Sequence, residues 1–290
     1  MRTSIRLVLQ NASVQTKAAP DPDIGLDGTP SATQNPHRIM VADLPTPPVS
    51  VILPVWREGD ELAGFVTKIA GWPEVREVIV SAAEETLALR LAIEDAGAVC
   101  VDAGAPNRGA QCNAGARCAS GEWLLFNHAD TRLTRAHVQA LAALTPRAEI
   151  VGGAFYRQFD ERHPCWRWIE PLERWHNRAF GALYGDQSIF ARRTHFHETL
   201  GGFADIPLME DVEFSKRLRR SGPLALLDPP IASSPRRHLQ RGQWHTTFKN
   251  AAIILLYQLG VSPVRLHAWY YGIRARPASQ TAIITQTHES

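Results

Sequence analysis

Residues 122–131 read Glu122-Trp-Leu-Leu-Phe-Asn-His-Ala-Asp-Thr131, and this stretch decides the fold. An apolar run, Trp123 to Phe126, stops abruptly at Asn127, His128 and Asp130. Such a run predicts a strand buried on both faces of a parallel sheet, with polar groups at its carboxyl end. In open α/β sheets ligands bind in the crevice at those ends. An acid there can hold a divalent cation, and the cation a diphosphate. The same residues also fit a polar turn in which Asp130 caps the next helix. Alone, the segment leaves the two readings level.

Outward from it, strand and helix patterns alternate. Val49 to Val55 is a continuous run of mostly β-branched residues, hence another buried strand. Asp60 to Ala70 has helical spacing, with Leu62, Phe65, Val66 and Ile69 on one face. Strands are expected over Val75–Val80 and Ala98–Val101, a helix over Thr86–Asp95 ended by Gly97, and a small-residue helix over Arg108–Ala119. This β-α-β-α-β-α-β order predicts a parallel sheet with right-handed crossovers. Beyond it the pattern predicts helices over Thr134–Leu144, Trp166–Leu183, Val212–Arg220 and His245–Leu259. Strands fall over Ile150–Phe159, Ser188–Ala191 and Leu224–Leu227. The expected class is therefore α/β, a mostly parallel sheet flanked by helices (residues 47–131) joined to a mixed half (residues 132–275). Residues 1–46 are rich in Pro, Asp, Thr, Ser and Gln and lack apolar periodicity, so they and the 276–290 tail are expected to be disordered or flexible.

A net charge of +2, with basic residues scattered rather than blocked, gives no nucleic-acid signal. Four cysteines without Cys-x-x-Cys spacing suggest reduced thiols in a cytosolic protein. The apolar stretch Ile5–Leu9, interrupted by Arg6, is too short for a signal-peptide core. No segment approaches the roughly 20 apolar residues of a membrane span. The longest apolar run, Ala251–Tyr257, predicts a buried helix, with peripheral contact at the inner face of a membrane as the lesser alternative.

Four segments could carry chemistry. The loop from Gly104 through Arg108, Gln111 and Asn113 to Gly115 offers glycines, free helix N–H groups and side-chain donors to an anion, although taken alone it is better explained by tight packing of small residues against the sheet. Gly185-Asp186-Gln187 is a turn before a short strand that could orient an acceptor hydroxyl. Glu210 and Asp211 open a helix, where acids are stabilising in any case, and where a partly buried carboxylate could serve as a general base. Arg236 and Arg237 suit phosphate recognition, and His238 and His245 are candidate metal ligands or proton donors.

Taken in order, these motifs resemble glycosyltransferase family 2, and within it the radical-SAM/selenodomain-associated subgroup. The resemblance spans about Val49 to Tyr271. It is carried by Val51-Ile-Leu-Pro-Val, Asn107-Arg-Gly-Ala-Gln-Cys-Asn-Ala-Gly-Ala, Leu125-Phe-Asn-His-Ala-Asp-Thr, Gly152-Gly-Ala-Phe, Tyr184-Gly-Asp-Gln, Gly201-Gly-Phe and Pro207-Leu-Met-Glu-Asp-Val-Glu. It implies a GT-A fold and transfer of a sugar from a nucleotide-diphosphate donor to an acceptor hydroxyl. His128-Ala-Asp130 takes the position of the Asp-x-Asp element, making Asp130 the ligand of a divalent cation (Mn or Mg), with His128 in place of the first acid. Asp211, beside Glu210, matches the acceptor-activating base of inverting members. Pro54 and Glu58 match the turn lining the nucleoside pocket. Arg108, Gln111, Asn113, Arg236 and Arg237 are expected donor contacts, Asp186 and Gln187 acceptor contacts, and His245 a second candidate metal ligand.

One departure stands out. Where the family has Val-Asp-Gly-Gly-Ser after the second strand, this chain reads Val80-Ser-Ala-Ala-Glu-Glu, with Ala82 at the position of the base-contacting Asp. Either Glu84 or Glu85 substitutes, or base recognition is weakened. Two alternatives accompany the main reading. A nucleotidyltransferase would need a glycine-rich loop with Arg or Lys directly after the first strand, which Val55-Trp-Arg-Glu-Gly-Asp does not supply. A non-catalytic nucleotide-sugar-binding protein draws its support from Ala82.

Overall fold

The computed structural model describes residues 5–8, 47–57, 61–84, 86–159, 183–233 and 243–272. Strand β1 (Ile5–Val8) is followed by β2 (Val49–Trp56), α1 (Glu61–Ala70), β3 (Val75–Ala83), α2 (Leu87–Asp95), β4 (Val99–Asp102), α3 (Arg108–Cys118) and β5 (Trp123–Phe126). Then come β6 (Thr131–Arg132), α4 (Arg135–Ala142), β7 (Gly152–Phe159) and β8 (Phe190–Arg192). The described chain closes with α5 (Glu210–Ser221), β9 (Leu224–Ser233), α6 (Gln243–Gln258) and α7 (Pro263–Tyr271).

The strands form one sheet in the order β1-β9-β7-β8-β5-β2-β3-β4, with β6 beside β9. The β4-β3-β2-β5 portion is parallel throughout. Next to it β8 runs antiparallel to β5 and to β7, while β7 and β9 are parallel to each other.

Alternation along β2 sorts the core into two layers. Val51, Leu53 and Val55 face Leu62, Val66 and Ile69 of α1 and Val138 and Leu141 of α4. Ile52 points the other way, toward Cys112 and Ala116 of α3 and the aromatic group Phe126, Phe196, Phe203 and Phe214. Helix α3 lies very close to the sheet: a Cβ on Gly115 would stand 2.5 Å from Ser81 Oγ and 2.6 Å from Ile52 Cγ2. The small-residue composition of this helix is thus a packing requirement.

Several elements differ from the sequence pattern. Ile5–Val8 lies within the 1–46 extension expected to lack structure, yet it pairs antiparallel with Leu224–Leu227. It stands at the sheet edge beside β9, which the extension's composition did not foretell. Strand β9 continues past Leu227 through Pro229 and Pro230, which read as breakers. The prolines fall where the β7–β9 register shifts, between the pairs Phe155–Leu227 and Arg157–Ile231, so no regular ladder position needs their missing N–H groups. Helix α7 was not anticipated, although Ser262 caps it through the Arg265 N–H at 3.5 Å and Pro263 opens it. The expected Trp166–Leu183 helix, with Trp166, Trp168 and Trp175, lies outside the described residues apart from Leu183.

Candidate active site

From β2 the chain proceeds to β3 and β4 on one side and returns to β5 on the other. The strand order therefore reverses between β2 and β5, where a crevice opens at the carboxyl ends. Pro54, Arg108, Cys112, Phe126, Asn127, His128, Gly185, Ile189, Phe203, Glu210 and Asp211 line a pocket there. Pro54, Arg108, His128, Glu210 and Asp211, five of the expected site residues, thus share one cavity. Asp130 is exposed two residues beyond His128, on the turn closed by the Thr131 N–H to His128 carbonyl bond, and is not part of the lining.

Gly185 is the point where these groups meet. Its N–H donates to Asp211 Oδ2 at 2.7 Å. A Cβ there would overlap Arg108 Nη2 and approach His128 Nε2 to 3.0 Å. Asp211 Oδ1 accepts from its neighbour Val212 N–H at 2.7 Å. The carboxylate is therefore oriented by backbone donors on both oxygens. Arg108 Nε lies 3.5 Å from Glu210 Oε1, and Glu210 is almost wholly buried.

Burial pushes the Glu210 pKa up, the nearby Asp211 charge adds to that, and Arg108 only partly offsets them. Burial works against the Arg108 charge, but Glu210, Asp211, Cys112 and Asp186 outweigh it and raise its pKa, so it stays cationic. Burial also pushes the Cys112 thiol up to about 12, which makes it a neutral wall of the pocket rather than a nucleophile.

Three expected binding residues make side-chain hydrogen bonds to the backbone. Gln111 Nε2 donates to Val55 O at 2.7 Å and Ser81 O at 3.0 Å, using both amide protons to tie the ends of β2 and β3 to α3. Asn113 donates to Phe203 O and accepts from Phe203 N, both at 2.8 Å, clamping the loop that begins at Gly201. Gln187 Oε1 accepts from Tyr184 N at 2.9 Å, holding the Gly185 turn. Gln111 thereby has no donor left for a diphosphate, an engagement that sequence spacing does not reveal. Asp186 differs: Oδ2 pairs with Arg157 Nη1, while Oδ1 is buried without a hydrogen-bond partner.

Asn127 is a site-shaping residue that the sequence reading gave no role. Its Oδ1 accepts from Ser188 Oγ at 2.6 Å, and its Nδ2 donates to the carbonyls of His128 at 2.7 Å and Thr131 at 3.3 Å. The abrupt polar stop after Phe126 was the signal for it.

A second cluster sits at the ends of β2 and β3. Trp56 Nε1 donates to Glu84 Oε2 at 3.0 Å, and Arg57 Nε donates to the same oxygen at 3.1 Å. Arg57 and Glu84 both adopt left-handed backbone, with φ of 57° and 54°. Conformations costly for side-chain-bearing residues mark positions that their surroundings over-determine. The Trp56 and Arg57 hydrogen bonds hold the Glu84 carboxyl below the usual range. Ala82 is fully buried.

Among the described residues, no three His, Cys, Asp or Glu side chains gather to hold a metal. Glu58, Glu85, Arg236, Arg237 and His238 lie outside the described residues, as does the side chain of His245.

The model of the family described as "Glycosyl transferase family 2" matches residues 50–203, which run from the second residue of β2 past β8 and include the pocket residues from Pro54 to Phe203. The chain belongs to glycosyl transferase family 2. Among solved structures, this family-2 chain is similar to S. aureus TarS 1-349, with a TM-score of 0.52 and 15% identity over 65% of this chain and 61% of that one. It is similar to a longer S. aureus TarS structure with a TM-score of 0.51 and 14% identity, over 64% of this chain and 36% of that one. The chain thus matches less than two thirds of the TarS chains. These likenesses establish the shared fold, of the GT-A glycosyltransferase type. No curated protein matches the chain.

Proposed function

We propose that this family-2 chain transfers a sugar from a nucleotide-diphosphate donor to an acceptor hydroxyl with inversion, as a hexosyltransferase-like member of the radical-SAM/selenodomain-associated subgroup. The observation that carries the reading is the convergence of His128, Arg108, Glu210 and Asp211 on one pocket at the point of strand-order reversal. Asp211 is the proposed base. It is a carboxylate at the pocket wall, held by the Gly185 N–H, in position to take the acceptor's proton as the hydroxyl attacks the anomeric carbon. Attack opposite the departing diphosphate inverts configuration. Arg108, kept cationic by the acids around it, is the proposed partner for diphosphate oxygens.

A divalent cation fits the donor set only in part. Asp130 offers one exposed carboxylate and His128 an imidazole, a pair that suits Mn better than Mg. Such ions commonly complete their shell with water and substrate phosphates, so a third protein ligand is not required. Bound there, the ion would neutralise charge growing on the leaving diphosphate. The exposed indole of Trp56 and the carboxylate of Glu84 support Glu84 as the substitute for the family's base-contacting Asp. They favour a base that donates N–H, such as uracil or guanine.

The test is a screen of nucleotide sugars for donor hydrolysis and transfer, with and without manganese, using the full chain and Asp130→Asn. Expected is turnover of a UDP- or GDP-sugar that manganese enhances and Asp130→Asn weakens at the level of donor binding. No turnover of any donor, together with no metal-enhanced nucleotide binding by calorimetry, would overturn the reading.

A further inference from the structure

Several apolar side chains of α6, of α7 and of the turn between them are exposed. Leu259 is 72% exposed and Val264 64%, and Leu255, Trp269 and Tyr271 are each more than half exposed. At 100° per residue, Val264, Arg265, Trp269 and Tyr271 occupy one arc of α7. The opposite side carries Leu266, which is buried, and Tyr270. An ordinary surface helix directs its polar side to solvent. Here the outward side is aliphatic and aromatic with an arginine among it. Lys249 reaches from α6 to α7, donating to Tyr270 O at 2.6 Å with its ammonium over the Tyr270 ring. The two helices are therefore tied together, with these apolar side chains left exposed.

Charge identifies what such a surface meets. From residue 229 to residue 288 the sequence contains no Asp or Glu, while Arg236, Arg237, Arg241, Lys249, Arg265, Arg274 and Arg276 all fall within it. The first half runs the other way, with ten acids against four basic residues between 47 and 102. Aliphatic residues, Trp and Tyr exposed together, with Arg265 among them and no acid in the sequence of either helix, match the interface of an anionic bilayer. Among the described residues no helix is long and apolar enough to cross a membrane.

We propose that the outward face of α6 and α7 lies on an anionic lipid surface. Behind that face, Leu266 and Ile253 pack with Met209 and Val212, which flank Glu210 and Asp211 at the start of α5. Docking through α6 and α7 thus fixes the catalytic pocket at a set depth from the lipid headgroups. This inference does not depend on the chemistry proposed above.

The full chain is sedimented with vesicles of phosphatidylcholine alone and of phosphatidylcholine mixed with phosphatidylglycerol, at low and high salt. Expected is pelleting with the mixed vesicles that weakens as salt rises and falls about tenfold in a Leu259→Ser, Trp269→Ser double variant. Leu87→Ser, which alters an equally exposed leucine on α2, should leave it unchanged. Arg265→Glu is a second variant that keeps the apolar face and should also lose vesicle binding. Failure of the unaltered chain to prefer the anionic vesicles overturns the proposal, as does equal binding by both α6–α7 variants. Self-association in the ultracentrifuge that Trp269→Ser abolishes, without lipid binding, would assign the face to a second copy of the chain. Each readout is independent of sugar transfer.

Discussion

The two halves of the sheet obey different rules. In β4-β3-β2-β5 each strand is parallel to its neighbour, β2, β3 and β4 are each followed by a helix, and the central β2 and β5 are covered on both faces. In β1-β9-β7-β8 parallel and antiparallel pairings mix, one strand comes from the far amino terminus and another runs through two prolines. The first half is a scaffold set by local pattern. The second is assembled from pieces distant in sequence. The pocket forms at their seam, with Pro54, Arg108 and His128 from the first half and Gly185, Glu210 and Asp211 from the second.

The sharpest way to test that division is at the seam itself. Asp211→Asn keeps the size of the side chain and an oxygen for the Gly185 N–H but removes the basic carboxylate. The expected result is a fall of about 10²–10⁴ in kcat, the usual contribution of a positioned base, with nucleotide affinity nearly unchanged. Parallel loss of nucleotide binding would mean that Asp211 builds the donor site rather than acting on the acceptor. The matching mutation on the first-half side, Asp130→Asn, should fail in the opposite sense, in binding before turnover.

Next in size are two glycines, one from each half. A Cβ on Gly153 in β7 would overlap the backbone carbonyl of Ala225 in β9, and neither strand can yield without breaking the ladder. Gly153→Ala should cost about 4 kcal/mol or more, or abolish folding. A Cβ on Gly115 would press on Ser81 Oγ and Ile52 Cγ2, which are side-chain atoms able to shift slightly. Gly115→Ala should cost about 1–3 kcal/mol. Denaturant melts of the two variants give the ranking, and a larger loss at Gly115 would show that the parallel half is the less yielding one.

The same contrast explains what could be read beforehand. The run Val49–Val55, the helical spacing of Leu62, Val66 and Ile69, and the polar stop after Phe126 are local signals, and the parallel half follows from them. β1 and the length of β9 depend on each other and on β7, so no window of sequence contained them. The site divides likewise. Proximity of His128 to Asp211 followed from motif order on a known type of sheet. The backbone hydrogen bonds of Gln111, Asn113 and Gln187 did not, because no spacing shows which segment of the chain an amide will meet. Glu84 was one of two open substitutes for the missing acid. Its bonds from Trp56 and Arg57 join residues 27 and 28 positions apart, and Glu85 lies outside the described residues.

The smallest expected effect concerns buried acids whose titration has opposite sign in the two halves. Burial alone would raise the pKa of Glu74, but Arg135 bonds it from Nε and Nη2 at 2.9–3.2 Å and Gln139 at 3.0 Å, and these lower it. Glu77 is lowered likewise, against its burial, by bonds from Ser50 and Ser120. For both, the folded pKa lies under the unfolded value of 4.5. Their stabilisation is complete above 4.5 and disappears as pH falls through the lowered folded values. Glu210 is raised above 4.5, so its contribution is complete below that pH and is lost as pH rises through its folded value. In melting curves across pH, Glu74→Gln should therefore flatten the acid limb. Glu210→Gln should gain on the unaltered protein as pH climbs toward neutrality, because the amide has no charge to bury while Arg108 retains the nearby carboxylates of Asp211 and Asp186. If Glu210→Gln instead loses ground with rising pH, the Arg108 pairing outweighs desolvation, and the seam is held together by an ion pair rather than strained by a buried acid.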